Sequence, residues 1–137
     1  MSAASEHVAV SSAVIQELLA EARHEPDLEC CGLLAGQDGV ISTVLRARNV
    51  LRSPTAYEID TAELFSLFRR MRDDRLDHLG IYHSHPRGDN APSPRDIERA
   101  FYPAAAYFII SPRPDAAQPV RAFRISAVEV RELIIRP

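Results

Sequence analysis

Apolar residues recur along this chain at two spacings, and the switches between them divide it into elements. Val14, Ile15, Leu18, Leu19 and Ala22 fall on one face at helical spacing. They predict a helix reaching about His24, capped by Ser11 or Ser12 and ended by Pro26 and Asp27. Residues 1–7 read as a loose start, with a short strand at residues 8–10. Residues 31–35 (Cys-Gly-Leu-Leu-Ala) form a continuous apolar run, the signature of a buried strand. Gly36-Gln37-Asp38-Gly39 then predicts a turn into a second strand over residues 40–46.

A loop holding Pro54 follows, and then a brief strand at 57–59. Asp60 predicts the cap of a second helix, with Glu63 completing a capping box. Leu64, Phe65, Phe68 and Met71 supply its inner face. Residues 78–85 predict a strand with Leu79, Ile81 and His83 on one side and Gly80, Tyr82 and Ser84 on the other. Two prolines and a glycine make residues 86–92 a loop. Ser93 caps a third helix, with Pro94 at the first helical position, where proline is favoured. Strands are expected at 106–110, 120–125 and 128–135. These elements describe one α/β domain over residues 1–137: about three helices flanking a mixed sheet of six or more strands.

Composition narrows the function classes. A chain of 137 residues is long enough to bury a core, and 26% charged with 46% hydrophobic residues is the balance of a globular protein. The net charge is −3, and every one of the 16 basic residues is arginine, scattered and often beside acids. That distribution argues against a nucleic-acid surface. No run approaches the roughly 20 apolar residues of a membrane helix. The first seven residues lack the arrangement of a signal peptide. Adjacent Cys30 and Cys31 are no disulfide framework. A cytoplasmic protein with no membrane partner is expected.

The chemistry concentrates in His83-Ser84-His85-Pro86 and Ser93-Pro94-Arg95-Asp96. In a strand, residues i and i+2 point the same way, so His83 and His85 aim two imidazoles at one point. Asp96, in the first turn of the next helix, adds a carboxylate. Two histidines and an aspartate suit zinc and leave a fourth position free. Asp96 is equally placed to be a plain capping acid near the positive end of its helix. A zinc hydrolase also needs a proton acceptor, and Glu29, just before the apolar strand, is the candidate. The alternative for Glu29 is an exposed loop acid.

With these residues in place, the pattern resembles the JAMM motif of the MPN+ (JAB/Mov34) metallopeptidases, in their compact prokaryotic form. His83-x-His85, seven residues, Ser93, two residues and Asp96 fill every position, with Glu29 upstream of Cys-Gly. The stretch Pro26 to Gly36 and the run Gly80-Ile81-Tyr82-His83-Ser84-His85-Pro86 are similar to that family as well, and the likeness spans about residues 8–112. The resemblance implies an MPN fold akin to that of cytidine deaminases. It implies one zinc per chain on His83, His85 and Asp96. Glu29 would take a proton from water and deliver it to the leaving amine, and Ser93 would hydrogen-bond the oxyanion. Cys31 corresponds to a packed strand residue rather than a nucleophile. Ser84 points away from the metal side and is placed to support the site from behind.

The reaction so implied is hydrolysis of a peptide or isopeptide bond after the C-terminal tail of a ubiquitin-like protein. Eukaryotic deubiquitinating relatives carry two insertions for which the segments at 49–56 and 111–118 leave little room. A sulfur-carrier protein, or its conjugate, is therefore the expected partner, through release of an amino acid such as cysteine or trimming of the tail. A glycine tail can lie extended as an added strand. Two other readings stand beside this one: a non-catalytic scaffold, and a zinc hydrolase of a small amide. Zinc deaminases use a Pro-Cys-x-x-Cys set that this chain lacks.

Overall fold

A computed structural model describes residues 6–137; the start expected over residues 1–5 lies outside them. The elements are β1 (His7–Val10), α1 (Ser12–His24), β2 (Cys31–Gln37), β3 (Val40–Ala47), α2 (Thr61–Asp73), β4 (Asp77–Ser84), α3 (Pro94–Glu98), β5 (Ala106–Ile110), β6 (Val120–Ile125) and β7 (Val130–Arg136). The strands run in the order β1-β3-β2-β4-β5-β6-β7, and parallel pairing of β1 with β7 closes the sheet into a barrel. The sheet is mixed: β1–β3 and β4–β5 are parallel, and the β2–β3, β2–β4, β5–β6 and β6–β7 pairs are antiparallel.

Two apolar clusters divide the faces of this sheet. Val14, Leu18 and Ala22 of α1 pack with residues from all seven strands, among them Val10, Leu34, Ile41, Tyr82, Phe108, Ala122 and Leu133. The sheet curls around α1 because alternate residues of every strand turn the same way. Tyr82 is the largest fully buried side chain among the described residues, and its hydroxyl donates to Glu21 Oε1 at 2.6 Å, which satisfies the one polar atom it brings into the core. On the opposite face Leu67 and Met71 of α2 cover Leu33, Ile81, Ile109 and Phe123. Five residues of β5, Ala-Tyr-Phe-Ile-Ile, are all buried because both clusters draw on that strand.

Helix α1 begins where its pattern predicts, with Ser11 Oγ accepting from the Val14 N–H at 3.3 Å. Strand β2 runs on through Gln37, so the turn shrinks to Asp38-Gly39. Both residues have positive φ, 54° and 76°, as the tight turns of two-residue hairpins require.

Several expectations change. Residues 57–59 form no strand, only a single bridge between Ile59 and Asn49. Asp60 caps α2, but Glu63 does not complete a capping box; its Oε1 accepts from the Arg48 N–H at 2.9 Å and ties the helix to the loop after β3. Phe65 is 66% exposed, and Leu67 takes the inner position. A bulge opposite Leu34 and Ala35 breaks the alternation at the start of β4. Leu79 therefore packs with the α1 cluster, while His78 meets Phe68 and Tyr102 on the other face. Strand β7 begins two residues later than expected, because Ser126 receives the Val128 and Glu129 N–H groups in a turn. Among the described residues, no helix is long and apolar enough to cross a membrane.

Candidate metal centre

Strand β4 ends at Ser84, and His85 continues its line, its N–H donating to the Ile110 carbonyl at 2.9 Å. His83 and His85 thus keep the two-residue spacing of a strand. The loop 86–92 returns the chain so that α3 begins across from them. Three donor atoms then converge. His83 Nε2 and His85 Nε2 are 3.1 Å apart, Asp96 Oδ1 is 3.2 Å from the first, and Asp96 Oδ2 is 3.0 Å from the second.

These separations can be tested against an ion. Zinc with bonds of about 2.0 Å in a tetrahedron spaces its ligands about 3.3 Å apart. Two imidazole nitrogens at this range, both against one carboxylate, are spaced as ligands of one shared cation would be. Burial pushes His83 down from its ordinary value toward the neutral form that a metal ligand requires, against the pull of Asp96. Burial also depresses His85, but hydrogen bonds to Asp96 and the Asp89 carbonyl outweigh it and leave it raised. Asp96 is held ionised: burial opposes this, and the hydrogen bonds to His83 and His85 override it. The donor set fits a divalent cation.

Each ligand is oriented differently. His85 Nδ1 donates to the Asp89 carbonyl at 2.9 Å, so that in the neutral ring a metal requires, Nε2 is the lone-pair nitrogen. His83 Nδ1 is buried with no hydrogen-bond partner among the described residues. Its ring instead stacks on Tyr57, with centroids 4.7 Å apart and planes 26° from parallel. No spacing in the sequence marked Tyr57. Asp96 both caps and faces the histidines: Oδ2 accepts from the Ser93 N–H at 2.9 Å, and Ser93 Oγ accepts from the Asp96 N–H at 3.1 Å. Among the described residues the hydroxyl hydrogen of Ser93 has no acceptor, which leaves it able to donate.

Glu29 reaches this site through strand pairing. In the antiparallel β2–β4 ladder Cys31 stands opposite His83. Glu29 lies two residues before Cys31, just outside the paired strands, and the charge of His85 is the strongest acting on its carboxyl. Ser84 anchors the approach from behind. Its N–H donates to the Cys30 carbonyl at 3.1 Å, and its Oγ accepts from the Cys30 N–H at 2.9 Å. Glu29 lies just outside β2 but is only 5% exposed, so it is not the exposed acid that its position allowed. Burial, against the nearby positive pull of His85, pushes its carboxyl up to about 8. Cys31 is fully buried, as a packed strand residue should be. Beside His83 and Asp96 opens a cleft of about 170 Å³, walled by Leu33, Tyr57, Ile81, Tyr102 and Tyr107, with Arg95 and Arg99 among its lining.

Known proteins carry the same organisation. The family model for prokaryotic homologs of the JAB domain matches residues 11–126. A desampylase of Haloferax volcanii is 42% identical over 92 residues, which is 64% of this chain and 66% of that protein, just under two thirds of its length. A CysO-cysteine peptidase of Mycobacterium tuberculosis is 33% identical over 82% of this chain and 78% of its own length. The solution structure of a Desulfitobacterium hafniense protein superposes with a TM-score of 0.83 at 32% identity, over 94% of this chain and 91% of that one. With a mixed sheet between flanking helices and the whole motif present, this chain belongs to the prokaryotic JAB-domain branch of the JAMM/MPN+ peptidase family.

Proposed function

We propose that the protein is a zinc metallopeptidase that hydrolyses the peptide or isopeptide bond following the C-terminal tail of a ubiquitin-like protein. His83, His85 and Asp96 would hold one zinc, which would polarise the scissile carbonyl and make an attacking water more acidic. Glu29, buried beside His85, takes the proton from that water and returns it to the leaving amine. Ser93, whose Oγ already accepts from the Asp96 N–H, donates its remaining hydrogen to the developing oxyanion.

One observation carries this reading: a buried carboxyl of raised proton affinity, fit to accept a proton once ionised, lies near a convergent His-His-Asp set. A structural ion pair would need the carboxylate and the histidines; it would not need a second carboxyl raised to about 8 beside them. The CysO-cysteine peptidase among the relatives supports a sulfur carrier ending in an added amino acid as the substrate class. The short segments at 49–56 and 111–118 agree with a compact partner of that kind.

The test is to incubate the zinc-loaded protein with conjugates of a ubiquitin-like sulfur carrier and weigh the products. Loss of the residue beyond the tail is expected, abolished in Glu29→Gln while zinc remains bound. A zinc-loaded protein that leaves every such conjugate intact would overturn the reading in favour of a scaffold.

A further inference from the structure

Asn49 lies in the loop after β3, buried, with its carboxamide fully used. Nδ2 donates to the Glu29 carbonyl at 3.0 Å and to the Ala56 carbonyl at 2.9 Å. Oδ1 accepts from the Leu51 N–H and the Glu58 N–H, each at 3.1 Å. Two donors and two lone pairs are the whole capacity of an asparagine. No aspartate, serine or alanine reproduces that set.

The partners place this amide between two parts of the site. Glu29 is the buried carboxyl beside His85. Ala56 and Glu58 flank Tyr57, whose ring stacks on His83. His85 has a hydrogen bond to fix its ring; His83 has none at Nδ1 and relies on packing, in which Tyr57 takes part. The Glu29 N–H is already held by the Ser53 carbonyl at 2.9 Å, so the Asn49 bond to its carbonyl secures the peptide unit on the other side of the same residue.

We infer that Asn49 is a positioning residue: it fixes the segment bearing Glu29 against the segment bearing Tyr57, and through Tyr57 the ring of His83. The inference rests on the peptidase reading for its effect on rate, and on the hydrogen bonds of Asn49 alone for its effect on geometry. The segment bearing Glu29 precedes β2, whereas Tyr57 lies in the loop after β3, where the one bridge is between Asn49 and Ile59. One amide gripping both converts two independent motions into one. Displacement of reacting groups by about 1 Å costs up to about 100-fold in rate.

Asn49→Ala, with Asn49→Ser as the milder change, is compared with Ile41→Val, a core variant remote from the site. Two readouts are taken well below the melting temperature. In the metal-free protein, NMR follows the cross-peaks between the Tyr57 and His83 rings and the amide shift of Glu29. In the zinc-loaded protein, kcat and KM are measured on the carrier conjugate. The inference expects weakened Tyr57–His83 cross-peaks and a moved Glu29 amide in both Asn49 variants but not in Ile41→Val. It also expects kcat lower by about 10- to 100-fold with KM within about twofold. Unchanged ring contacts and Glu29 shift in folded Asn49→Ser and Asn49→Ala, or a kcat no lower than that of Ile41→Val, would overturn it. If the wild-type protein cleaves no conjugate, the peptidase reading fails, and the ring contacts still decide the role of Asn49.

Discussion

Ser93 and Asp96 hold each other twice: the Ser93 N–H donates to Asp96 Oδ2 at 2.9 Å, and the Asp96 N–H donates to Ser93 Oγ at 3.1 Å. That same Oδ2 lies 3.0 Å from His85 Nε2. The cap and an approach to both histidines, the two demands that the sequence set against each other at Asp96, occur together in one arrangement. The capping box fixes the carboxylate plane, and the fixed plane presents one oxygen to each histidine.

Ser93→Ala therefore has two separable costs. Loss of the cap acceptor should lower stability by about 1 kcal/mol, read from denaturant unfolding. Loss of the hydroxyl donor should reduce kcat by about 100- to 1,000-fold with zinc still bound. A variant that loses stability but keeps its kcat would leave Ser93 as a cap and nothing more.

The Glu29 carboxyl gives a signed dependence on pH. Its value rises from 4.5 to about 8 in the folded, metal-free site. As pH climbs between these values the unfolded chain gives up this proton before the folded one does, so the contribution of Glu29 to stability is complete at low pH and is lost as pH passes about 8. Glu29→Gln has no such loss. The melting temperature of metal-free Glu29→Gln should gain on the wild type from pH 5 to pH 9, by on the order of 5 °C. A constant difference across that range would mean that the carboxylate is not penalised by burial.

Zinc itself should stabilise the fold. At a free concentration of about 1,000 times its dissociation constant, a bound ion adds about 4 kcal/mol. The gain should vanish in Asp96→Asn and His83→Ala and on adding a chelator. It should also fade at low pH, because protons compete for His85, whose affinity for them is raised. Equal thermal shifts with zinc in wild type and Asp96→Asn would place the ion elsewhere.

Tyr57 separates ring from hydroxyl. Tyr57→Phe keeps the stack on His83 and should leave zinc affinity unchanged. Tyr57→Ala removes the only ring stacked on that imidazole among the described residues, and should weaken zinc by about 10- to 100-fold. Competition with a fluorescent zinc chelator reads both; equal affinity in the two variants would remove Tyr57 from the support of His83.

The sequence by itself determined what local chemistry determines. The helical spacing of Val14, Leu18 and Ala22, the cap at Ser11, the proline at the start of α3 and the alternation of His83 and His85 all act within a few residues, and all are found where the pattern sets them. The ligand set was legible for the same reason. It lies within 14 residues of chain, from 83 to 96.

Tertiary structure decided the rest. Which side of α2 faces inward depended on what the sheet offered, so Leu67 displaced Phe65 although either fits an amphipathic helix. The bulge in β4 exchanged Leu79 and His78 between faces, because pairing with β2, not the strand's own pattern, sets the count. Glu29 sits 54 residues before His83 in the chain; the antiparallel pairing of β2 with β4 brings its segment alongside that of His85, and burial there lifts its carboxyl. Tyr57 and Asn49 carry no periodic or motif signal at all. Their positions follow from a loop folded back over strand ends, where hydrogen bonds between distant segments, rather than local preference, fix the geometry.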